Sequence, residues 1–145
     1  MLNKRIQLVF QKAAFQQYNI LLFDPEISKK VSDFLFRYVL AESYYKSLFV
    51  LYSERDGKKM TPSQKKNSRV KYDEVTRVLH YFDISFDESL IDRIFGGNDN
   101  NYMDCSIKKL RDRLVHKVNE NVVHTILERY DAIERDLNSF FAYFY

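Results

Sequence analysis

The stretch LRDRLVH, Leu110 to His116, brings together three residue types that can move protons and hold phosphate: Arg111, Asp112 and His116. Histidine changes charge near neutral pH, so it can act as base or acid, and arginine keeps its charge and can stabilise a developing oxyanion. Asp112 precedes His116 by four residues. On a helix its carboxylate can accept a hydrogen bond from the imidazole and favour the protonated ring. Ordinary exposed helices carry such pairs as well. RNA brings its own nucleophile, the 2′-hydroxyl. Its cleavage needs a base, a cation against the charge growing on the phosphate, and an acid for the leaving oxygen. These side chains can supply that set without a metal.

With Ile107 at zero on a helical wheel, Leu110, Leu114 and Val118 cluster around it, Arg111 falls about 40° away inside the apolar stripe, and His116 falls near 180°. An arginine in such a stripe must reach water, find a carboxylate or phosphate, or meet another subunit. Glu42 is the internal candidate. It lies four residues after Tyr38 and three before Tyr45, in the middle of a stripe formed by Val31, Phe34, Leu35, Tyr38, Tyr45, Phe49 and Tyr52. Two readings fit Glu42: a pair with Arg111, or a wet carboxylate at a bend or solvent channel.

Helices must position these residues. Of 145 residues 46% are apolar, with 12 Phe and 11 Tyr, and only 3 Gly and 2 Pro interrupt the chain. That composition suits one core, a single domain over residues 1–145, and an all-α fold. Helical spacing predicts a first helix over Leu2 to Asn19 and, after Asp24 and Pro25, a long one from Pro25 to Ser53. A third is expected from Tyr72 to Phe82. Ser85 with Glu88 reads as a capping box for a short helix through Phe95, stopped by Gly96 and Gly97. Asp104 or Ser106 can cap the helix that carries Arg111. Asn119 and Asn121 mark a break before a last helix reaching Phe144, whose seam of Val122, Ile126, Tyr130, Ile133, Leu137, Phe140 and Phe144 is expected to pack along the long helix.

The rest of the chain narrows the function classes. Lys58 to Lys71 holds six basic residues and no acid. Lys58, Lys59, Lys65, Lys66 and Arg69 can guide a phosphate backbone, and a solvated basic loop would look the same. The single Cys105 cannot form an internal disulfide, the charged start lacks a signal-peptide core, and no window suits a membrane span, so a cytoplasmic protein with no membrane role is expected. His80 and His124 have no second ligand at metal-binding spacing, there is no Gly-rich phosphate loop and no nucleophile elbow, and neither metal nor cofactor is assigned. Phe140, Phe141, Tyr143, Phe144 and Tyr145 can stack bases, but their spacing fits core or interface packing better.

LRDRLVH resembles the Arg-polar-x-x-x-His signature of the HEPN superfamily, small helical domains that include many metal-independent endoribonucleases of toxin–antitoxin, antiviral and RNA-processing systems. The position of the motif in a late helix, before a terminal one, agrees with that family. The resemblance implies a HEPN-like antiparallel bundle of about five to six helices. It also implies a homodimer in which two motifs face each other, paired Arg111 residues hold phosphate and paired His116 residues share proton transfer. An antitoxin or defence-system protein is the partner class it suggests. The chain departs from the pattern in two places: many members have glycine after the histidine and some toxins a tyrosine two residues after it, where this chain has Lys117 and Val118. Control by modification of that tyrosine is therefore not expected, and Lys117 can add a phosphate contact. The competing reading is a non-catalytic helical module that binds a partner protein or nucleotide.

Overall fold

The computed structural model describes residues 24–55, 70–97, 101–116 and 120–145. Among them are six α-helices: α1 (Pro25–Arg55), α2 (Tyr72–Tyr81), α3 (Glu88–Phe95), α4 (Ile107–His116), α5 (Glu120–Glu128) and α6 (Tyr130–Phe141). A 3-10 turn follows at Ala142–Phe144. The described chain is all-α. The helix expected over Leu2 to Asn19 and the basic residues Lys58, Lys59, Lys65, Lys66, Arg69 and Lys117 lie outside the described residues.

Helix α1 begins where the sequence places it. Asp24 caps it by accepting from the Glu26 N–H at 2.9 Å, and Pro25 fills the first position, where no N–H is needed. Over 31 residues it rises about 46 Å. It buries Val31, Phe34, Leu35, Tyr38, Ala41, Tyr45, Phe49, Tyr52 and Ser53, which is the predicted stripe with Ala41 and Ser53 added. The other helices close the core on that stripe with Val75, Val78 and Leu79 from α2, Ile91, Ile94 and Phe95 from α3, Ile107, Leu110 and Leu114 from α4, Val122 and Ile126 from α5, and Ile133, Leu137 and Phe140 from α6.

The last helix packs along α1 as expected, although it is divided. Arg129 takes φ −92° and ψ 3°, and its guanidinium donates to the Tyr102 carbonyl at 2.9 Å, which turns α6 away from α5. The motif helix α4 ends at His116 and α5 begins at Glu120, beside the Asn pair; the split at Arg129 is a further one that the pattern does not signal. Contacts climb together along α1 and α6: Asp33 accepts from Tyr130, Arg37 donates to Asn138, and Tyr44 stacks on Phe144. The two helices therefore run in the same sense, and the intervening elements carry the chain back.

Two caps also differ from the sequence reading. Asp87, not Ser85, caps α3 by accepting from the Ser89 N–H at 2.9 Å, because only the residue directly before the first turn reaches those donors. Gly96 ends α3 without a left-handed conformation. Its φ is −59°, and it is needed because a Cβ there would strike the Asp92 carbonyl. Of the two candidates for α4, Ser106 is the cap, with its Oγ 3.2 Å from the Lys109 N–H.

Among the described non-glycine residues, Asp83 is left-handed, at φ 55°. It closes α2, with its N–H on the His80 carbonyl and the Ile84 N–H on the Leu79 carbonyl, both at 3.0 Å. Side chains at this conformation are disfavoured where glycine is not. Asp83→Gly should therefore stabilise the fold by about 0.5–1 kcal/mol, seen as a higher urea midpoint with an unchanged slope. A lower midpoint would show that the aspartate carboxylate contributes more than the backbone strain costs.

Candidate functional site

Helix α4 sets Arg111 against the middle of α1. Its guanidinium lies over the Tyr38 ring, 4.6 Å from the centroid, and its Nη2 donates to Glu42 Oε1 at 3.1 Å. Tyr38 donates its hydroxyl to the same Glu42 oxygen at 2.8 Å. Lys46 Nζ stands 3.9 Å from the other Glu42 oxygen. Side-chain exposure is 23% for Arg111 and 15% for Glu42, so this pair is largely shielded from water. Of the two readings open for Glu42, the paired one holds.

Tyr38 supplies both a π face and a hydroxyl, and the apolar pattern alone reads it only as core. The available sequence signal was its position one turn before a carboxylate. Burial first, and then the Glu42 charge, push the Tyr38 hydroxyl far above the usual tyrosine range, with Arg111 opposing. The group therefore stays protonated and acts as a donor to Glu42.

Asp112 is engaged differently from the i, i+4 expectation. Its Oδ1 lies 3.0 Å from Arg111 Nε, off the line of the N–H, so the contact is a charge pair without an aligned hydrogen bond. Among the described residues no hydrogen bond joins Asp112 to His116. His116 is the last residue of α4 and is exposed beside Val115. Arg111 and His116 are thus brought onto one helix but not onto one face. Two carboxylates and one phenol fix the arginine, and the histidine is open to solvent.

The other candidates are placed plainly. His80 packs edge-on against Phe86, with ring centroids 4.9 Å apart, and His124 lies 3.5 Å from Glu120. Among the described residues no group of three or more His, Cys, Asp or Glu side chains is arranged to hold a metal ion. No described helix is long and apolar enough to cross a membrane. Of the terminal aromatics, Phe140 is buried between Phe95 and Phe144, and Tyr145 is 92% exposed.

Removing Glu42 leaves a shielded guanidinium without its main acceptor. Glu42→Leu should cost about 2–4 kcal/mol, and Tyr38→Phe, which removes one hydrogen bond, about 1 kcal/mol. The double change Glu42→Leu/Arg111→Leu should recover most of the first loss, because neither charge is then stranded. Urea denaturation of the three variants reads all of this; an unchanged midpoint in Glu42→Leu would sink the idea.

No protein-family model, curated protein or solved structure matches the chain.

Proposed function

We propose that the chain is a HEPN-like, metal-independent endoribonuclease of toxin–antitoxin or antiviral type, acting in the cytoplasm as a homodimer. One observation carries this reading. Arg111 is a cation fixed by Glu42, Tyr38 and Asp112, while His116 stands open at the end of the same ten-residue helix. A preorganised cation costs no reorganisation when charge grows on a phosphate, and an exposed histidine is free to exchange protons with a ligand.

One protomer offers one motif histidine, about 140° around the helix from Arg111. Two copies supply two. One His116 then takes the proton of the 2′-hydroxyl, whose oxygen attacks the phosphorus. The His116 of the second copy protonates the departing 5′-oxygen. The P–O5′ bond breaks, and the products are a 2′,3′-cyclic phosphate and a 5′-hydroxyl. The Arg111 pair faces the non-bridging oxygens, and Nη1, which has no hydrogen-bond partner among the described residues, is the nitrogen available for it.

A second reading has its own observation. Glu42 and Asp112 place two negative charges on the single Arg111, an arrangement that serves a purely structural arginine equally well. In that case the chain is a non-catalytic module for a partner protein or nucleotide.

Total RNA incubated with wild type and with His116→Ala, with EDTA present, separates the two. The nuclease reading expects cleavage by wild type with 2′,3′-cyclic ends and a loss of at least about 10²-fold in His116→Ala at unchanged oligomeric state. Exposed His116 makes that variant the cleaner test, because Arg111→Ala also strands Glu42. Equal behaviour of the two proteins, or no cleavage by a folded wild-type dimer, would favour the binding module.

A further inference from the structure

Helix α4 is at odds with its own dipole. Each of the other five α-helices among the described residues opens with an acid: Glu26, Asp73 with Glu74, Glu88, Glu120 and Asp131. The first turn of α4 has none and carries Lys108 and Lys109 instead. Positive charge at a helix N-terminus is locally unfavourable, so these lysines answer to something other than the stability of α4.

The wheel shows where that charge points. Lys109, Arg113 and His116 follow i, i+4, i+7 spacing and fall within about 60° of one another, on the side away from Ile107, Leu110 and Leu114. They rise along the axis in steps of about 6 Å and about 4.5 Å. Arg113 is oriented, since its guanidinium stacks on the Tyr102 ring 4.7 Å from the centroid. The base under it is anchored as well: Arg129 donates to the Tyr102 carbonyl at 2.9 Å, and the loop is pinned by Asn101, whose Oδ1 accepts from the Met103 and Asp104 N–H groups. Burial holds Lys108 below the usual lysine range, and the positive Lys109 and Arg111 push the same way against Asp112 and Glu42. The acids closest to the ridge in the chain are Asp112 at its flank, Glu120 four residues after His116, and Asp104 five before Lys109.

We propose that Lys109, Arg113 and His116 form a phosphate-binding ridge along which the backbone of single-stranded RNA lies, leading the strand to His116. The ridge rests on the RNA reading above for its ligand and not for the cleavage chemistry. A row of separated cations contacts successive phosphates. A single strand can adapt to their unequal spacing, and a duplex, with its regular phosphate geometry, adapts less. Arg113 provides a planar fork for phosphate, and Lys109 a compact charge.

The test uses the full chain and a short fluorescein-labelled RNA in which every 2′-hydroxyl is methylated, so that binding is read without cleavage. Anisotropy is followed across a salt series. Lys109→Gln/Arg113→Gln should weaken binding about tenfold at moderate salt and make the log–log salt slope shallower by about 1.4, the share of two phosphates on a single strand. Lys109→Arg/Arg113→Lys keeps the charge count and should keep the slope, whatever the lost Arg113 fork does to affinity. Glutamine retains helix propensity, and circular dichroism confirms that the variant folds. Unchanged affinity and slope in the glutamine pair overturns the ridge, as does a wild type that fails to bind at low salt. Displacement by inorganic polyphosphate but not by a DNA strand of the same sequence overturns a nucleic acid as the ligand. A protein that binds through the ridge yet cuts no RNA leaves the ridge standing and removes the nuclease reading.

Discussion

The contact between Arg111 and Glu42 over the Tyr38 ring is the constraint on which the arrangement of α4 against α1 depends. Apolar burial is non-directional, and the stripe on α1 runs nearly its whole length, so contacts of Leu110 and Leu114 alone would tolerate a shift of one turn. A guanidinium does not tolerate it. Only Glu42 offers a shielded carboxylate in that stripe, and an arginine moved one turn away would meet apolar side chains at a cost of several kcal/mol. The pair therefore specifies one register more than it adds net stability.

Tyr38 makes the arrangement tighter than a bare ion pair. Its hydroxyl takes up a lone pair on the Glu42 oxygen that Arg111 also uses, and its ring covers one face of the guanidinium. Each group thus meets two others, and moving any one of them disturbs both remaining contacts. This is how an interior position comes to hold a permanent cation without a dry, unpaired charge.

Much of this was legible in the sequence, and the reasons are specific. Glu42 and Arg111 were each conspicuous as a charge inside an apolar stripe, and two misfits of opposite sign suggest one another. The α1 stripe and the Asp24-Pro25 start were legible because periodicity and capping are local properties. The Tyr38 hydroxyl was hidden because tyrosine satisfies an apolar pattern regardless of what its oxygen does. The split at Arg129 and the shared sense of α1 and α6 were hidden for another reason: both depend on contacts between residues distant in the chain, such as Arg129 with Tyr102 and Asp33 with Tyr130. The Ser85–Glu88 capping box does not form the cap, because Asp87 stands directly before the first turn and takes the Ser89 N–H.

The electrostatics of α4 divide labour between its two sides. Around Arg111 two carboxylates offset the charges of Arg111 and Lys46, so that corner attracts anions poorly at long range even though its guanidinium is well oriented at short range. Lys109, Arg113 and His116 on the other side have the opposite character: more net positive charge, with His116 exposed and Lys109 and Arg113 partly buried. On the proposed nuclease reading, attraction of a polyanion comes from the ridge, and positioning of a reacting phosphate from the fixed arginine. Because the two sides are about 140° or more apart on one short helix, a strand drawn to the ridge of one copy would need a second copy to bring an arginine to the scissile phosphate. On this view, what makes one protomer incomplete as a nuclease is the angle between its two charged faces, and a symmetric pair of α4 helices can supply both faces to a single phosphate.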